Sequence, residues 1–232
     1  MSHLLSLRSG LAAALSLGLL AGCGNDPAAQ DARQTLPSAR MFTEAFTRTF
    51  APNAAKPADP AAVAAVRQGL EQAGTPVVLV RVARFGYANL MGPYGQNGAV
   101  TTWASNSSQT VALQDGILVA TRGFGPDLMS ARVPDLAQVR RASGYFHRGY
   151  AALDGADQSH LLEYDCTFAE AGRENIDVFG KTYAARKVTE SCEGPDMVFQ
   201  NAYWFDQIGV LRQSDQHATA GLSTVRLQRI VD

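Results

Sequence analysis

The feature that most restricts the fold is a series of short apolar segments with a period of two, which runs from Val77 to Val231. Residues typical of turns interrupt this series about every ten positions, which is the pattern of antiparallel β structure. Asp115-Gly116 lies between two such segments and predicts a tight hairpin, because both residues tolerate positive φ. The predicted strands cover residues 77–82, 100–104, 110–114, 117–122, 145–153, 160–169, 176–179, 181–192, 197–206, 210–217 and 222–231.

This region lacks the helical crossovers that parallel strands require, so we expect a mainly β protein whose antiparallel strands form a barrel or a two-layer sandwich. We expect one or two N-terminal helices before it. In segment 38–50 the apolar residues fall near one face, and Asp59-Pro60 is typical of the start of a second helix that ends at Gly74. Segment 86–98 is glycine-rich and predicts a loop, whereas segment 134–141 predicts a short helical turn.

The N terminus has the parts of a bacterial export signal in the required order. Residues 11–20 form an apolar run that is too short to span a bilayer, which needs about 20 apolar residues. The following Leu20-Ala21-Gly22-Cys23 resembles the bacterial lipobox. We therefore predict a lipoprotein signal peptide at residues 1–22, a flexible tether at 23–37 and a single β-rich domain at 38–232.

The lipobox resemblance implies that lipid is attached to Cys23 and that the new N terminus is acylated with palmitate-type chains. Two acyl chains anchor a protein stably, whereas one holds it only reversibly. The alternative is an ordinary secretory signal cut near Ala21. Gly24 and Asn25 follow the cysteine, where inner-membrane retention favours Asp. We therefore expect a cell-envelope protein anchored in the outer membrane and facing the periplasm.

The charge balance argues against nucleic acid as a partner. The chain has 20 basic and 21 acidic residues, a net charge of −1, whereas nucleic-acid binding depends on a basic surface. No second apolar run approaches the length of a membrane span. We therefore expect the body of the protein to hang from the membrane by the lipid on Cys23.

Cys166 and Cys192 are an even pair in a chain that leaves the cytoplasm, where disulfides persist. We predict that these two cysteines are bonded to each other. Two buried free thiols and a metal site are the alternatives. A metal site lacks support, because no Cys-x-x-Cys spacing or nearby histidine accompanies the pair.

The sequence contains no local motif of catalysis. It lacks a Gly-x-Ser-x-Gly elbow, a His-Glu-x-x-His pair, a phosphate loop and an EF-hand. His147, His160 and His217 are dispersed along the chain. Histidines on half-exposed strand faces are more often ordinary surface residues than metal ligands or catalytic groups. Asp154 and Asp157 flank a turn, where aspartate commonly caps backbone amides. We therefore expect no enzymatic activity, no catalytic residues, no metal and no other cofactor.

Aromatic residues are the more informative set. Sugar rings present apolar C–H faces that stack on aromatic rings, so Trp103, Tyr203 and Trp204 are candidates for sugar contact. The alternative for all three is core packing, in which aromatic side chains are prominent. Tyr203 and Trp204 are adjacent on one predicted strand and therefore point to opposite faces, so we expect at least one of the two faces to be buried.

Two segments resemble the YjbF/GfcB family of group 4 capsule polysaccharide lipoproteins. These are residues 115–130 (DGILVATRGFGPDLMS) and 203–216 (YWFDQIGVLRQSDQ), and Trp103 and the Glu190-x-Cys192 element fit the same pattern. The resemblance implies a β-rich outer-membrane lipoprotein, without enzymatic activity, that acts in polymer assembly or export. One departure is Leu211-Arg212, where the family pattern has a tryptophan before the Ser-x-Gln element.

The leading hypothesis is thus a non-enzymatic accessory factor of exopolysaccharide or capsule secretion. Its expected partners are the membrane, the polysaccharide and other secretion proteins. A second hypothesis is a periplasmic lipid or lipoprotein carrier with an open β half-barrel. A large apolar cavity inside the sheet would favour the carrier, and an interior filled by side chains would count against it.

Overall fold

The computed structural model describes residues 59–153 and 158–232. The predicted signal peptide, the tether with Cys23 and the helix at 38–50 lie outside the described residues, as do Asp154 and Asp157. The division of the chain into signal, tether and one domain from residue 38 therefore stays a prediction.

Twelve strands and two α-helices make up the described part of the chain. The helices are α1 (Pro60–Ala73) and α2 (Leu136–Arg141), and a short 3₁₀ turn covers Ala83–Phe85. The strands are β1 (Val77–Val82), β2 (Tyr87–Asn97), β3 (Val100–Ala104), β4 (Thr110–Gln114), β5 (Ile117–Arg122), β6 (Leu128–Arg132), β7 (Tyr145–Leu153), β8 (Ser159–Val178), β9 (Lys181–Glu193), β10 (Val198–Phe205), β11 (Leu211–His217) and β12 (Thr224–Val231).

All twelve strands belong to one antiparallel sheet, in the order β5-β4-β3-β2-β1-β12-β11-β10-β9-β8-β7-β6. Neighbours in the sheet are neighbours in the sequence, except that β1 pairs with β12 and places Val80 opposite Leu227. This pairing joins the two ends of the β region. The sheet is nearly closed and barrel-like, which confirms the predicted mainly β fold and decides between the two architectures.

The edge strands β5 and β6 meet through side chains. Thr121 Oγ1 accepts a hydrogen bond from the Leu128 amide at 3.0 Å. The Arg122 guanidinium donates to the carbonyl oxygens of Leu128 and Met129, each at 3.0 Å. We call these contacts the β5–β6 seam. They engage backbone groups that a free sheet edge would leave without partners.

Alternation along the strands sorts side chains onto two faces. In β1, Val78, Val80 and Val82 point into the sheet interior, whereas Val77 and Leu79 point outward and pack under α1. Burying an aliphatic side chain of this size contributes about 1.5–3 kcal/mol, so both faces stabilise the fold. The interior set, which we call the inner core, also contains Met91, Trp103, Val111, Leu113, Leu118, Leu128, Tyr150, Tyr164, Val225 and Leu227.

Helix α1 begins and ends where the sequence predicts. The Asp59 carboxylate caps it by accepting from the Ala61 amide at 3.0 Å, and Gly74 ends it in the left-handed conformation with φ of 62°. Its apolar stripe is narrow, faces the sheet and consists of Val63, Val66 and Leu70.

Three elements differ from the predictions. Segment 86–98 is the strand β2 and not a loop, because its first half pairs with β1 and its second half with β3. Segments 160–169 and 176–179 are one strand, β8, in which the pairing shifts around Gly172. Strand β6 was not predicted. The Asp115-Gly116 turn is confirmed, with φ of 52° and 91°.

Candidate functional site

Four buried polar side chains meet in the sheet interior. Glu190 on β9 accepts two hydrogen bonds from Arg148 on β7, from Nε to Oε1 and from Nη2 to Oε2, both at 2.9 Å. Glu190 Oε2 also accepts from Asn201 Nδ2 at 2.8 Å and from the Tyr203 hydroxyl at 2.7 Å, both from β10. We call these four residues the Glu190 network. Both carboxylate oxygens accept hydrogen bonds from the network, so it suits structural support better than proton transfer.

Electrostatics fix the protonation states of Arg148 and Tyr203 in this network. Burial alone lowers the pKa of Arg148, but the oxygens of Tyr150, Glu190 and Tyr203 outweigh burial and raise this pKa above its ordinary value. Burial, together with the neighbouring Glu190, raises the pKa of Tyr203 well above that of a free phenol. Arg148 therefore stays charged and Tyr203 stays neutral across the physiological range.

Further hydrogen bonds extend the Glu190 network across the interior. Asn201 Oδ1 accepts from the His217 amide at 2.7 Å, and the Tyr150 hydroxyl donates to the His217 carbonyl at 3.0 Å. The neighbouring Gln216 accepts from the Leu118 amide and donates to the Gly116 carbonyl, both at 2.9 Å. Strands from opposite parts of the sheet are thereby tied together through buried polar groups.

The sequence carries a signal for this network, although the signal matches no catalytic motif. Three strands place a polar residue in the inward phase between two apolar ones. These triplets are Phe146-x-Arg148-x-Tyr150, Val188-x-Glu190-x-Cys192 and Phe199-x-Asn201-x-Tyr203. A charge in the buried phase of a strand needs a partner, and the opposite charges of Arg148 and Glu190 satisfy that need.

Cys166 and Cys192 form the predicted disulfide. They face each other directly in the register of β8 and β9, and Cys192 lies two residues from Glu190 on the same face. Among the described residues, Cys166, Glu190 and Cys192 are the group whose metal-ligating atoms come within 4.8 Å of one another. The two sulfurs are bonded to each other, and the Glu190 carboxylate accepts hydrogen bonds from its network. Each of these potential metal ligands therefore already has a partner.

The three aromatic candidates for sugar contact are not brought together. Tyr203 is fully buried, with its hydroxyl in the Glu190 network. Trp103 lies on the inner face and is 8 % exposed, whereas Trp204 lies on the outer face and is 5 % exposed. Core packing therefore accounts for most of their surface, and each tryptophan keeps only an edge at a separate cleft.

Two clefts border these tryptophan edges. The inner cleft, of about 340 Å³, opens at one end of the sheet interior and is lined by Trp103, Leu113 and Leu227, with Arg140 on α2 beside it. The outer cleft, of about 500 Å³, lies over β8 to β12. There Trp204 donates through Nε1 to Glu174 at 2.6 Å.

Side chains of the inner core and the Glu190 network occupy the interior of the described sheet, apart from the inner cleft of about 340 Å³ at one end. An open half-barrel carrier needs a large apolar cavity in that space, and side chains occupy it. This packing counts against the lipid or lipoprotein carrier as an alternative.

His147 and His217 have different surroundings and should titrate apart. Hydrogen bonding to Asp165, at 2.6 Å from Nδ1, raises the pKa of the exposed His147 above its ordinary value. Burial lowers the pKa of His217, whose ring stacks on Phe199 with centroids 4.5 Å apart. We expect an NMR titration of the imidazoles to place the His147 pKa above that of His217.

The Asp165→Asn variant should lower the pKa of His147 and leave that of His217 unchanged. His147 is more basic in the folded state than in the unfolded one. Its contribution to stability is therefore complete below its unfolded pKa and is lost as the pH rises through its folded pKa. Overlapping titration curves for the two histidines in the parent protein would contradict these assignments.

Within the described ranges, no helix combines the length and apolar character needed to cross a bilayer.

A family model described as "Group 4 capsule polysaccharide lipoprotein gfcB, YjbF" matches residues 39–230. No curated protein matches the chain. The fold is similar to that of the crystal structure of the hypothetical lipoprotein YmcC from Escherichia coli (K12). The TM-score is 0.64 at 18% sequence identity, over 72% of this chain and 88% of that one.

Proposed function

Because the chain belongs to the YjbF family of group 4 capsule polysaccharide lipoproteins, we propose that it is a non-enzymatic accessory factor in the assembly or export of an exopolysaccharide or capsule. The match over residues 39–230 carries this proposal, since it covers the whole sheet except Val231, the last residue of β12. The interior supports it further. Glu190 and Arg148 form a charged pair in the sheet interior, where they are buried from solvent and hydrogen-bonded to each other.

The proposed location follows from the N-terminal signal. Lipid on Cys23 would anchor the mature protein, and more than one acyl chain would make that anchoring stable. Gly24 and Asn25 favour the outer membrane, with the folded domain facing the periplasm. The anchor would then fix where the polymer and the other secretion proteins meet this domain.

A deletion strain tests the function and the anchor together. In a strain that produces the polymer, loss of the gene should change the amount, size or surface location of the polysaccharide. Expression of the parent chain should restore the phenotype. The Cys23→Ser variant should lose lipid labelling, leave the membrane fraction and fail to restore the phenotype at an equal protein level.

Two results would count against separate parts of this proposal. A polymer that is unchanged in amount, size and location after deletion would rule out the accessory role. Full restoration by Cys23→Ser, with the variant still in the membrane fraction, would show that another tether holds the protein. A Ser9→Ala variant, altered within the signal peptide but outside the lipobox, serves as the matched control.

A further inference from the structure

Arginines surround one end of the sheet. The inner cleft shares Arg140 and Gly209 with a second cleft, of about 220 Å³, that is lined by Arg173, Arg186 and Asp206. We call the two together the arginine cleft. Its arginines are Arg140, Arg173, Arg186, Arg212 and Arg229, and its acidic residues are Asp115 and Asp206.

This concentration of positive charge is local. The whole chain has 20 basic and 21 acidic residues, whereas five arginines and two aspartates line the arginine cleft. Arginine presents a planar fork of donors that matches the oxygens of a carboxylate or a phosphate. A concave site lined by several such forks attracts anions and can hold them.

Some of these arginines are held in place by partners. Arg212 donates to Asp206 at 2.7 Å and to Asp232 at 2.8 Å, and its guanidinium lies 4.9 Å from the centre of the Tyr183 ring. Arg186 pairs with Glu170 at 3.3 Å. These ion pairs position the two guanidinium groups in the walls of the cleft.

Arg140 and Arg173 differ from these two. Their guanidinium groups make no ion pair and no hydrogen bond with any residue in the described ranges. The Arg140 side chain crosses Gly209, where a Cβ atom would lie 3.5 Å from Nη1, and Gly209 also has φ of 82°. The positive φ favours glycine at this turn, and the Arg140 guanidinium lies beside it at the boundary of the two clefts.

We propose that the arginine cleft binds an anionic saccharide through its carboxylate or phosphate groups, with Arg140 and Arg173 as the principal contacts. The charge of the ligand follows from the two unpaired guanidinium groups. Trp103 and Leu113 in the inner cleft add an apolar wall against which the C–H face of a sugar ring packs. A volume of about 340 Å³ lies at the lower end of the range for small-ligand sites, so it suits a short sugar segment. The choice of a saccharide rests on the proposed function, whereas the choice of an anion does not.

Calorimetric titration of the full-length protein in a neutral detergent tests the site. The probes are trigalacturonic acid, the neutral trisaccharide maltotriose and inorganic phosphate. We expect trigalacturonic acid to bind at least about tenfold more tightly than either of the others. Arg140→Gln should weaken its binding at least about tenfold, because a charge-assisted hydrogen bond is lost.

Arg141→Gln is the matched control, because it removes the same charge from the next residue of α2 without altering the cleft lining. Its affinity should stay within about twofold of the parent value, as expected for the loss of an exposed charge. Arg173→Gln provides a second test variant if the thermal midpoint of Arg140→Gln falls. Equal loss in the Arg140 and Arg141 variants would overturn the site.

The probes separate the two parts of the inference. Equal binding of maltotriose and trigalacturonic acid would overturn anion recognition. Equal binding of inorganic phosphate and trigalacturonic acid would overturn saccharide recognition. A polymer phenotype on deletion without any binding here would overturn this site and leave the proposed function in place.

Discussion

Glu190→Gln should lower the free energy of unfolding by about 3–5 kcal/mol, because it leaves the fully buried Arg148 guanidinium without its counter-ion. The amide also puts two donors where the carboxylate has only acceptors, next to Asn201 and Tyr203. Urea denaturation of the unlipidated Cys23→Ser protein measures the loss. A matched control is Glu193→Gln, which makes the same change at an exposed position of β9 and should alter stability by less than about 0.5 kcal/mol.

The double variant Arg148→Met/Glu190→Leu sharpens this test. It removes both charges, so it should recover part of the stability that either single replacement loses. A buried ion pair adds little net stability, and most of the loss on breaking it comes from the charge left behind. If Glu190→Gln proves no more destabilising than Glu193→Gln, the Glu190 network contributes little to the fold.

Breaking the Cys166–Cys192 disulfide should have the second large effect. The bond closes a loop with a sequence separation of 26 residues, so its removal should lower the free energy of unfolding by about 3 kcal/mol. The Cys166→Ala/Cys192→Ala variant and the reduced parent protein should unfold at similar, lower urea concentrations. Reductant should not alter the unfolding of the double-alanine variant, which makes that variant the control for direct effects of the reductant.

The two effects should also be coupled, since Cys192 and Glu190 occupy the same face of β9. Mutations of residues this close rarely add independently. An unfolding midpoint of the parent protein that does not respond to complete reduction would show that the disulfide constrains little.

Much of the fold follows from residue alternation alone. Strands β1, β3, β4 and β5 begin and end where the sequence predicts, because each contains branched apolar residues and is flanked by clear turn residues. Strand β2 is rich in glycine and carries Pro93, so its membership in the sheet depends on neighbouring strands that a local pattern does not show. Strand β6 is short and lies at the sheet edge. It pairs with β7 on one side, and on the other side, side chains of β5 bind its backbone.

The interior site was less predictable for a different reason. Arg148 and Glu190 lie on β7 and β9, and β8 separates these two strands in the sheet. Only the register of both pairings brings the two charges together, and register is a property of the assembled sheet. The disulfide could be predicted without knowledge of the geometry. Disulfides persist outside the cytoplasm, and Cys166 and Cys192 are the two cysteines of the chain besides Cys23.

The β5–β6 seam also bears on the proposed attachment of the protein to a membrane. Confinement to a membrane surface would raise the chance that two copies of the chain meet. An exposed sheet edge can pair with a strand of a second copy, because its backbone N–H and C=O groups lack partners. Arg122 occupies carbonyl oxygens along that edge with a charged side chain. On the proposed membrane-anchored protein, this arginine would help to keep neighbouring copies from joining into extended sheets.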